Sequence, residues 1–187
     1  FAGRPITCAV NPCVGRETEI TPAETAKNVV VVGGGPSGLY AAYICALRGH
    51  RVTLLEKNAE LGGNLRIAAY PTGKGQLTEA VRSMIVRCEQ AGGELRTGAE
   101  ANETMLRELK PDTIILGTGS NPLILRIPGL AECGYMTAQE LLDGKRVCGK
   151  KALVVGGGMV GCEAAEFLAE RGHAVSVIEM KDVIAAD

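Results

Sequence analysis

One segment of this sequence occurs twice, and the duplication constrains the fold more than any other feature. Residues Val29–Lys57 align without a gap with Ala152–Met180 at a constant offset of 123, and 14 of the 29 aligned positions are identical. Solenoids and propellers repeat at shorter periods, roughly 20–50 residues, and repeat more often. The chain therefore contains two copies of one domain-sized unit.

Each copy has the pattern of a strand, a tight turn, a helix and a second strand. Apolar β-branched runs predict the strands, and a glycine follows each predicted helix. The predicted elements are Asn28–Val32, Pro36–Arg48 and Arg51–Glu56 in the first copy, and Ala152–Val155, Val160–Arg171 and Ala174–Glu179 in the second. Two parallel strands joined by a helix form a βαβ unit. On the first helix, Ala41, Ala42, Ile44 and Leu47 recur at a helical spacing.

The segment between the copies predicts further helices and strands of an α/β fold. The helices are expected over Gln76–Ala91, Thr104–Leu109 and Thr137–Leu142, and the strands over Glu94–Thr97 and Asp112–Leu116. Glycine and proline mark turns at residues 117–122 and 127–129. These turns predict a junction between two domains.

A glycine-rich turn in the first copy has the spacing of a dinucleotide-binding site. Gly33, Gly35 and Gly38 fit the pattern G-x-G-x-x-G between a strand and a helix that opens with Pro36 and Ser37. The first glycine permits the turn, the second lets a pyrophosphate approach, and the third packs helix on strand. Glu56 is expected to accept the hydroxyls of an adenosine ribose. The alternative is a glycine-rich turn that binds nothing.

Six residues after Glu56, the run Leu61-Gly62-Gly63 resembles the extended fingerprint of FAD-binding flavoproteins with two dinucleotide-binding domains. Asp112–Gly119, "DTIILGTG", resembles a later strand and turn of that class, with Gly117 in place of the usual alanine and Gly119 at its end. The class implies a Rossmann-like FAD/NAD(P)-binding fold. An ordinary loop is the alternative interpretation of the glycine pair.

The second copy repeats the turn as Gly156-Gly157-Gly158-Met159-Val160-Gly161 and the acidic strand end as Glu179. In the class that the chain resembles, this unit holds the nicotinamide dinucleotide. The charge of Glu179 would repel a 2′-phosphate, and Met180 offers no cation, so NADH is expected rather than NADPH. Lys181 could soften that preference.

The N-terminal segment Ile6–Glu17 resembles the one that follows the flavin barrel in the 2,4-dienoyl-CoA reductase, enoate reductase and trimethylamine dehydrogenase family. These are relatives of Old Yellow Enzyme with an added dinucleotide-binding half. The resemblance makes Cys8 the fourth thiolate of a [4Fe–4S] cluster in the parent protein, with three further ligands upstream, whereas Cys13 matches no ligand. It spans nearly the whole chain.

The resemblance implies an electron-entry fragment in which both domains are truncated. Residues 1–26 would be a linker from an upstream FMN barrel, 27–125 the N-terminal part of an FAD-binding domain, and 126–187 the start of an NADH-binding domain. In the parent, NADH would reduce FAD, and electrons would pass through [4Fe–4S] to FMN for reduction of an activated C=C bond. Residues implied in cofactor binding besides the glycines are Pro36, Ser37, Glu56, Lys57, Asn64, Lys74, Met159, Val160 and Glu179.

Two alternatives stay open. The first site could hold ADP as a structural module, as in trimethylamine dehydrogenase relatives, because Glu56 and the glycine turn suit ADP equally. The chain could also resemble the small NAD(P)H-reductase subunit of a glutamate-synthase-like complex, although the Cys8 segment argues against that. A dithiol relay directly after the glycine pair is excluded, because Gly63 is followed by Asn64-Leu65-Arg66.

Composition excludes other classes of function. A net charge of −1 argues against nucleic-acid or anionic-membrane partners, and the apolar stretch Gly38–Leu47 is too short for a membrane span. Seven widely spaced cysteines suit the cytoplasm, and the first residues lack signal-peptide features. We expect Cys45, Cys88 and Cys162 to be core residues, His50 and His173 to be structural, and no acid–base catalyst. Truncation predicts weak cofactor binding and exposed apolar edges that dimerisation would cover.

Overall fold

A computed structural model of the chain describes residues 8, 10, 11 and 13–185. The chain divides into two compact units, the first made of Phe1–Arg66 and Leu77–Gly119, the second of Ile67–Gln76 and Ser120–Asp187. The short segment Ile67–Gln76 therefore groups with the second unit although it lies within the predicted 27–125 domain. The domain boundaries stay a prediction.

The first unit is built on a parallel sheet of four strands in the order β3-β2-β1-β4. The strands are β1 (Asn28–Val32), β2 (Arg51–Leu55), β3 (Glu94–Arg96) and β4 (Thr113–Leu116). Side chains that are register partners form one apolar row across the sheet: Leu95, Leu54, Val31 and Ile115. This row belongs to a core that also contains Leu39, Ala42, Met84 and Cys88.

Four α-helices and a short 3₁₀-helix, Glu17–Glu19, accompany these strands in the described part of the chain. The α-helices are α1 (Pro36–Leu47), α2 (Gly63–Ile67), α3 (Gln76–Gln90) and α4 (Glu103–Leu109). α1 ends because Gly49 takes a left-handed conformation with φ of +87°. α4 begins at a side-chain cap, where the Asn102 oxygen accepts the Met105 N–H at 2.9 Å.

The second unit contains a two-stranded parallel sheet, β5 (Lys151–Val155) and β6 (Ala174–Ile178), whose strands are joined by helix α6 (Met159–Glu170). Helix α5 (Ala138–Leu142) begins at a capping box formed by Thr137 and Glu140. One face of the small sheet carries exposed apolar side chains, because no described element of this unit covers it. They are Leu153, Val155 and Ile178, at 59%, 47% and 53% exposure.

The predicted strands and helices all occur, and each end either matches the prediction or differs from it by one residue. Two elements were not predicted, the 3₁₀-helix of three residues and α2 of five, because neither is long enough for the hydrophobic period to repeat. In α1, Leu39 and Ala42 are fully buried, whereas Leu47 is 42% exposed at the last turn.

Across the described residues, every helix is too short or too polar to cross a membrane.

Candidate functional site

The first glycine turn, residues 33–38, is held by close backbone contacts. Gly33 has φ of +108°, a conformation that side chains rarely adopt. A β-carbon at Gly38 would lie 1.8 Å from the Gly33 carbonyl oxygen, and one at Gly33 would lie 2.3 Å from the Gly117 oxygen. The first and third glycines therefore have the roles expected of them. Gly117 is part of the same close contact.

Gly35, the second glycine of the turn, has an open side. No atom lies within 4 Å of the place where its β-carbon would be. Gly35 is also the N-cap residue of α1. Its φ is −73°, and no side chain caps this end of the helix. Pro36 occupies the first helical position and Ser37 is exposed beside it. The N-terminal N–H groups of α1 thus face a space that an anion such as a pyrophosphate can enter.

Glu56 follows β2 directly and is 6% exposed. Its Oε2 accepts a hydrogen bond from the Gly34 N–H at 2.7 Å, and its Oε1 accepts from the Asn58 backbone N–H at 2.8 Å and side chain at 2.7 Å. A carboxylate has about four acceptor positions, so about one remains for a ribose hydroxyl. The sequence indicated a ribose ligand here but not the bond that ties Glu56 to the glycine turn.

The glycine pair Gly62-Gly63 passes directly over the turn. The Gly62 N–H donates to the Gly34 oxygen at 2.8 Å. A β-carbon at Gly62 would lie 2.7 Å from a Val81 methyl group, and one at Gly63 would lie 3.1 Å from the Gly35 Cα. Both glycines have positive φ. α2 starts at Gly63 and leaves Asn64 exposed in its first turn.

The second glycine turn, residues 156–161, reproduces the geometry of the first. Gly156 has φ of +104°, and a β-carbon at Gly161 would lie 1.8 Å from the Gly156 oxygen. Gly158 caps α6 with φ of −69°, as Gly35 caps α1. Met159 and Val160, the first residues of α6, are 57% and 63% exposed. The two copies thus present the same kind of helix N-terminus.

Glu179 repeats the position of Glu56 after β6. It accepts hydrogen bonds from the Gly157 N–H at 2.6 Å and the Lys181 N–H at 2.8 Å. The Lys181 and Gly157 backbone bonds, in that order, hold the pKa of Glu179 below its usual value, because they favour the charged carboxylate. The acid at the second site is therefore ionised at neutral pH.

The duplication extends beyond the residues that are identical. The Ala185 N–H donates to the Gly157 oxygen at 2.7 Å, as Gly62 does to Gly34 in the first copy. Ile184 approaches Gly157 as Leu61 approaches Gly34. Ala185 takes φ of +51° although it is not glycine. The sequence alone did not predict that the repeat continues to this point. The only signal is that the pairs Leu61/Ile184 and Gly62/Ala185, each of apolar residues, are related by the offset of 123.

Three other predicted site residues lie apart from the turns. Lys57 is exposed after Glu56, and Gly119 has φ of +73° with no atom near its missing β-carbon. Lys74, expected near FAD, forms an ion pair with Glu163 on α6, and the Thr72 hydroxyl donates to Glu170 about two turns further along the same helix. The segment Ile67–Gln76 is thereby attached to α6.

Cys8 is exposed, and the Asn11 N–H donates to its sulfur at 3.4 Å. Hydrogen bonds from the Asn11 and then the Val10 backbone lower the pKa of the thiol, with a smaller effect of the nearby Arg87 guanidinium. Within the described part of the chain, no group of three potential metal ligands lies together. An iron–sulfur cluster that included Cys8 would need its other ligands from outside the described residues.

Three further cysteines and the two histidines were expected to be structural. Cys88 is buried in the core, and burial raises the pKa of its thiol to about 11; Cys45 and Cys162 are only half-buried. His50 Nδ1 accepts the Lys27 N–H at 3.1 Å, whereas His173 Nδ1 lies 2.7 Å from the Gly149 oxygen and must donate to it. The two histidines therefore carry their protons on different ring nitrogens.

Parallel sheets, paired glycine turns at helix N-termini and an acid after the second strand of each copy define a Rossmann-like dinucleotide-binding protein. The family model for pyridine nucleotide-disulphide oxidoreductases matches residues 27–187. The chain belongs to this family of oxidoreductases, whose fold binds FAD and NAD(P)H. None of the cysteines that the structure describes is paired in a disulfide.

The chain is similar to larger flavoenzymes. It is 42% identical to an NADH oxidase of Thermoanaerobacter brockii and 39% identical to a cinnamate reductase of Clostridium sporogenes, covering 100% and 96% of this chain but 30% and 27% of those proteins. The solved structure of a 2-naphthoyl-CoA reductase, in complex with 2-naphthoyl-CoA, matches 97% of this chain and 28% of its own length, with 32% identity and a TM-score of 0.90. The chain thus spans about 30% of the curated relatives that it matches.

Proposed function

We propose that this chain is the electron-entry part of an NADH-dependent flavin oxidoreductase, with FAD at the first glycine turn and NADH at the second. When bound, NADH supplies a hydride and FAD accepts it, so the redox chemistry belongs to the two cofactors. The residues of the chain bind and orient them. The observation that carries this proposal is the duplicated turn, with an open helix N-terminus and a hydrogen-bonded acid in each copy.

At the first turn, the N-terminal N–H groups of α1 and the uncovered side of Gly35 would receive the pyrophosphate. The remaining acceptor position of Glu56 would take one ribose hydroxyl. Gly62 and Gly63 let the backbone pass within contact distance of Gly35, where a side chain would intrude. The other residues proposed to line this site are Gly33, Pro36, Ser37, Gly38, Lys57, Asn64 and Gly119.

At the second turn, the N-terminus of α6 would receive the pyrophosphate of NADH next to Gly156, Gly158, Met159, Val160 and Gly161. Glu179 is ionised there, so its charge opposes the 2′-phosphate of NADPH. The proposed preference is tested with Glu179→Ser, which removes that charge. We expect the ratio of NADPH to NADH efficiency to rise, and an unchanged ratio would contradict the role of Glu179.

The names of similar enzymes support a proposal for where the electrons go after FAD. A cinnamate reductase and a 2-naphthoyl-CoA reductase are named for unsaturated acids or thioesters. We propose that the electrons pass through a [4Fe–4S] cluster bound by Cys8 and three other thiolates to FMN in a partner barrel of the same protein. Reduction of an activated C=C bond would follow. The unpaired thiols favour a cytoplasmic location.

Cofactor extraction from the native holoenzyme tests the proposal. Equimolar FAD and FMN, iron and sulfide at about four per chain, and anaerobic bleaching of both flavins by NADH are expected. Recovery of ADP with FMN as the only flavin would overturn the FAD assignment and favour a structural nucleotide site. A holoenzyme without iron would contradict the role given to Cys8.

A further inference from the structure

Helix α6 carries three acidic residues, whereas α1, its counterpart in the first copy, carries none. The three acids and the residues that align with them at the offset of 123 are Glu163, Glu166 and Glu170, against Tyr40, Tyr43 and Leu47. Negative charge on a helix opposes the binding of an anion at its N-terminus. The second glycine turn therefore has a source of repulsion toward a pyrophosphate that the first turn lacks.

Two of these acids are contacted by the segment Ile67–Gln76, which belongs to the same compact unit as α6. The Lys74 ammonium forms an ion pair with Glu163, and the Thr72 hydroxyl donates to Glu170. The two acids are seven residues apart, so they lie on one face of the helix about two turns from each other. The segment accordingly runs along this face.

The two acids lie at different distances from the N-terminus of the helix. At about 1.5 Å per residue, Glu163 is about 7.5 Å along the axis from the N-cap residue Gly158, and Glu170 is about 18 Å from it. The Debye length in physiological salt is about 8 Å, so the charge of Glu163 reaches the N-terminus, whereas that of Glu170 is largely screened. The nearer acid is paired with a cation, and the farther acid is bound by a neutral hydroxyl.

The ion pair of Lys74 and Glu163 is only partly open to solvent. The side chains are 38% and 32% exposed. Partial burial reduces screening by water and salt, so these charges act on their surroundings more strongly than fully exposed ones would. Neutralisation of Glu163 by Lys74 therefore changes the potential at the start of α6.

We propose that Lys74 is a positioning residue of the second dinucleotide site, where it neutralises Glu163 and so allows the N-terminus of α6 to receive the pyrophosphate of NADH. The proposal rests on the NADH site proposed above. Thr72 attaches the same segment further along the helix and keeps the lysine beside Glu163. Lys74 was expected to contact FAD, and its ion pair assigns it to the other cofactor.

The role of Lys74 is tested by calorimetric titration of the oxidised native holoenzyme with ADP-ribose, which carries the pyrophosphate of NADH but cannot reduce a flavin. The first site is already filled in the holoenzyme, so the titration measures the second. In Lys74→Gln the dissociation constant should rise about 2- to 5-fold at low salt, and the difference should shrink in about 1 M salt. Glu163→Gln should tighten binding, and the double variant should bind as the wild type does.

Two further variants separate charge from attachment. Lys74→Arg keeps the cation and should keep the affinity. Lys145→Gln is the matched control, because it removes the lysine of another ion pair, with Asp143, in the same unit, and it should leave the affinity unchanged. An unchanged dissociation constant in Lys74→Gln, or a double variant as weak as Lys74→Gln, would overturn the role of Lys74. A wild-type holoenzyme that binds neither ADP-ribose nor NADH would overturn the NADH site itself.

Discussion

The carboxylate of Glu56 accepts a hydrogen bond from the Gly34 N–H at 2.7 Å, so the residue that ends one strand is tied to the turn that begins the neighbouring helix. Glu179 and Gly157 repeat the bond at 2.6 Å in the second copy. The acid is usually considered as a ligand of ribose. Here it also ties the glycine turn to the end of the strand without any ligand.

Removing Glu56 should therefore destabilise the protein in the absence of cofactor. Glu56→Ala leaves the N–H groups of Gly34 and Asn58 without their acceptor in a buried place, and we expect a loss of about 1–3 kcal/mol in unfolding free energy. Urea denaturation measures it. Glu60→Ala is the control, because its ion pair with Arg66 is largely exposed, and it should cost less than about 1 kcal/mol. Similar losses in both variants would contradict the structural role of Glu56.

Substitutions at two glycines of the first turn should affect different properties, stability at Gly38 and nucleotide binding at Gly35. Gly38→Ala places a methyl group 1.8 Å from the Gly33 oxygen, so the backbone must move, at a cost of about 1–3 kcal/mol in stability. Gly35→Ala meets no atom within 4 Å and should leave the unfolding transition unchanged while weakening the binding of ADP in calorimetry. If Gly35→Ala is destabilised, or if it binds ADP as the wild type does, the open side of Gly35 is not a ligand-binding surface.

Exchanging alanine and glycine at the equivalent positions 185 and 62 tests whether the two copies correspond there. Ala185 has φ of +51°, which costs an L-residue roughly 1–2 kcal/mol, so Ala185→Gly should relieve strain and stabilise the second unit. Gly62→Ala at the equivalent position should destabilise the first unit, since its φ is +106° and Val81 lies 2.7 Å from the new carbon. Thermal unfolding compares the two. The same sign of change in both variants would contradict the correspondence.

Glu179 should make stability depend on pH in the acidic range. Its pKa in the folded protein is lowered first by the Lys181 N–H and then by the Gly157 N–H. The carboxylate therefore contributes stability above its pKa in the unfolded chain, and this contribution is lost as the pH falls through the lower folded value. In Glu179→Gln the loss on acidification should be smaller than in the wild type. Side-chain NMR of Glu179 should show a pKa below that of a model peptide.

The exposed face of the second sheet should cause the isolated chain to associate. Leu153, Val155 and Ile178 share this face, and patches of this kind are covered by other protein surfaces. Light scattering should give a mass above that of the 19.5 kDa monomer. Leu153→Lys should lower the mass, and Lys151→Leu at the start of the same strand should not lower it. A monodisperse wild-type monomer would contradict the prediction.

Much of this architecture could be predicted from the sequence, because the conformation of the glycine turn restricts which residue types can occupy it. Gly33, Gly38 and Gly161 stand where a β-carbon would meet backbone atoms, and Gly156 has φ of +104°, so the glycine spacing alone locates both turns. Strands such as Val29–Val32 are buried on both faces and consist almost entirely of β-branched residues. The order of the strands in the first sheet was not predicted, because it depends on which strands pair across long intervals of sequence.

The features that the sequence did not disclose depend on contacts between distant residues. The bond from Gly62 to Gly34 and its counterpart from Ala185 to Gly157 join backbone atoms, and backbone bonds leave no mark on residue type. The Cys13–Tyr40 contact joins two residues that are unremarkable in isolation. Leu47 follows the same helical spacing as Ala42 but is 42% exposed, because periodicity identifies a face of a helix and not where the sheet beneath it ends.

The attachment of Ile67–Gln76 to α6, through Lys74 and Thr72, bears on any attempt to take the protein apart. This segment is contributed from the middle of the first unit's sequence, so no single cut of the chain separates the two units. A gene truncated to residues 120–187 would lack the partners of Glu163 and Glu170. Separate expression of the second unit would require residues 67–76 to be grafted onto its N-terminus, and domain exchanges between relatives would need crossover points at three places rather than one.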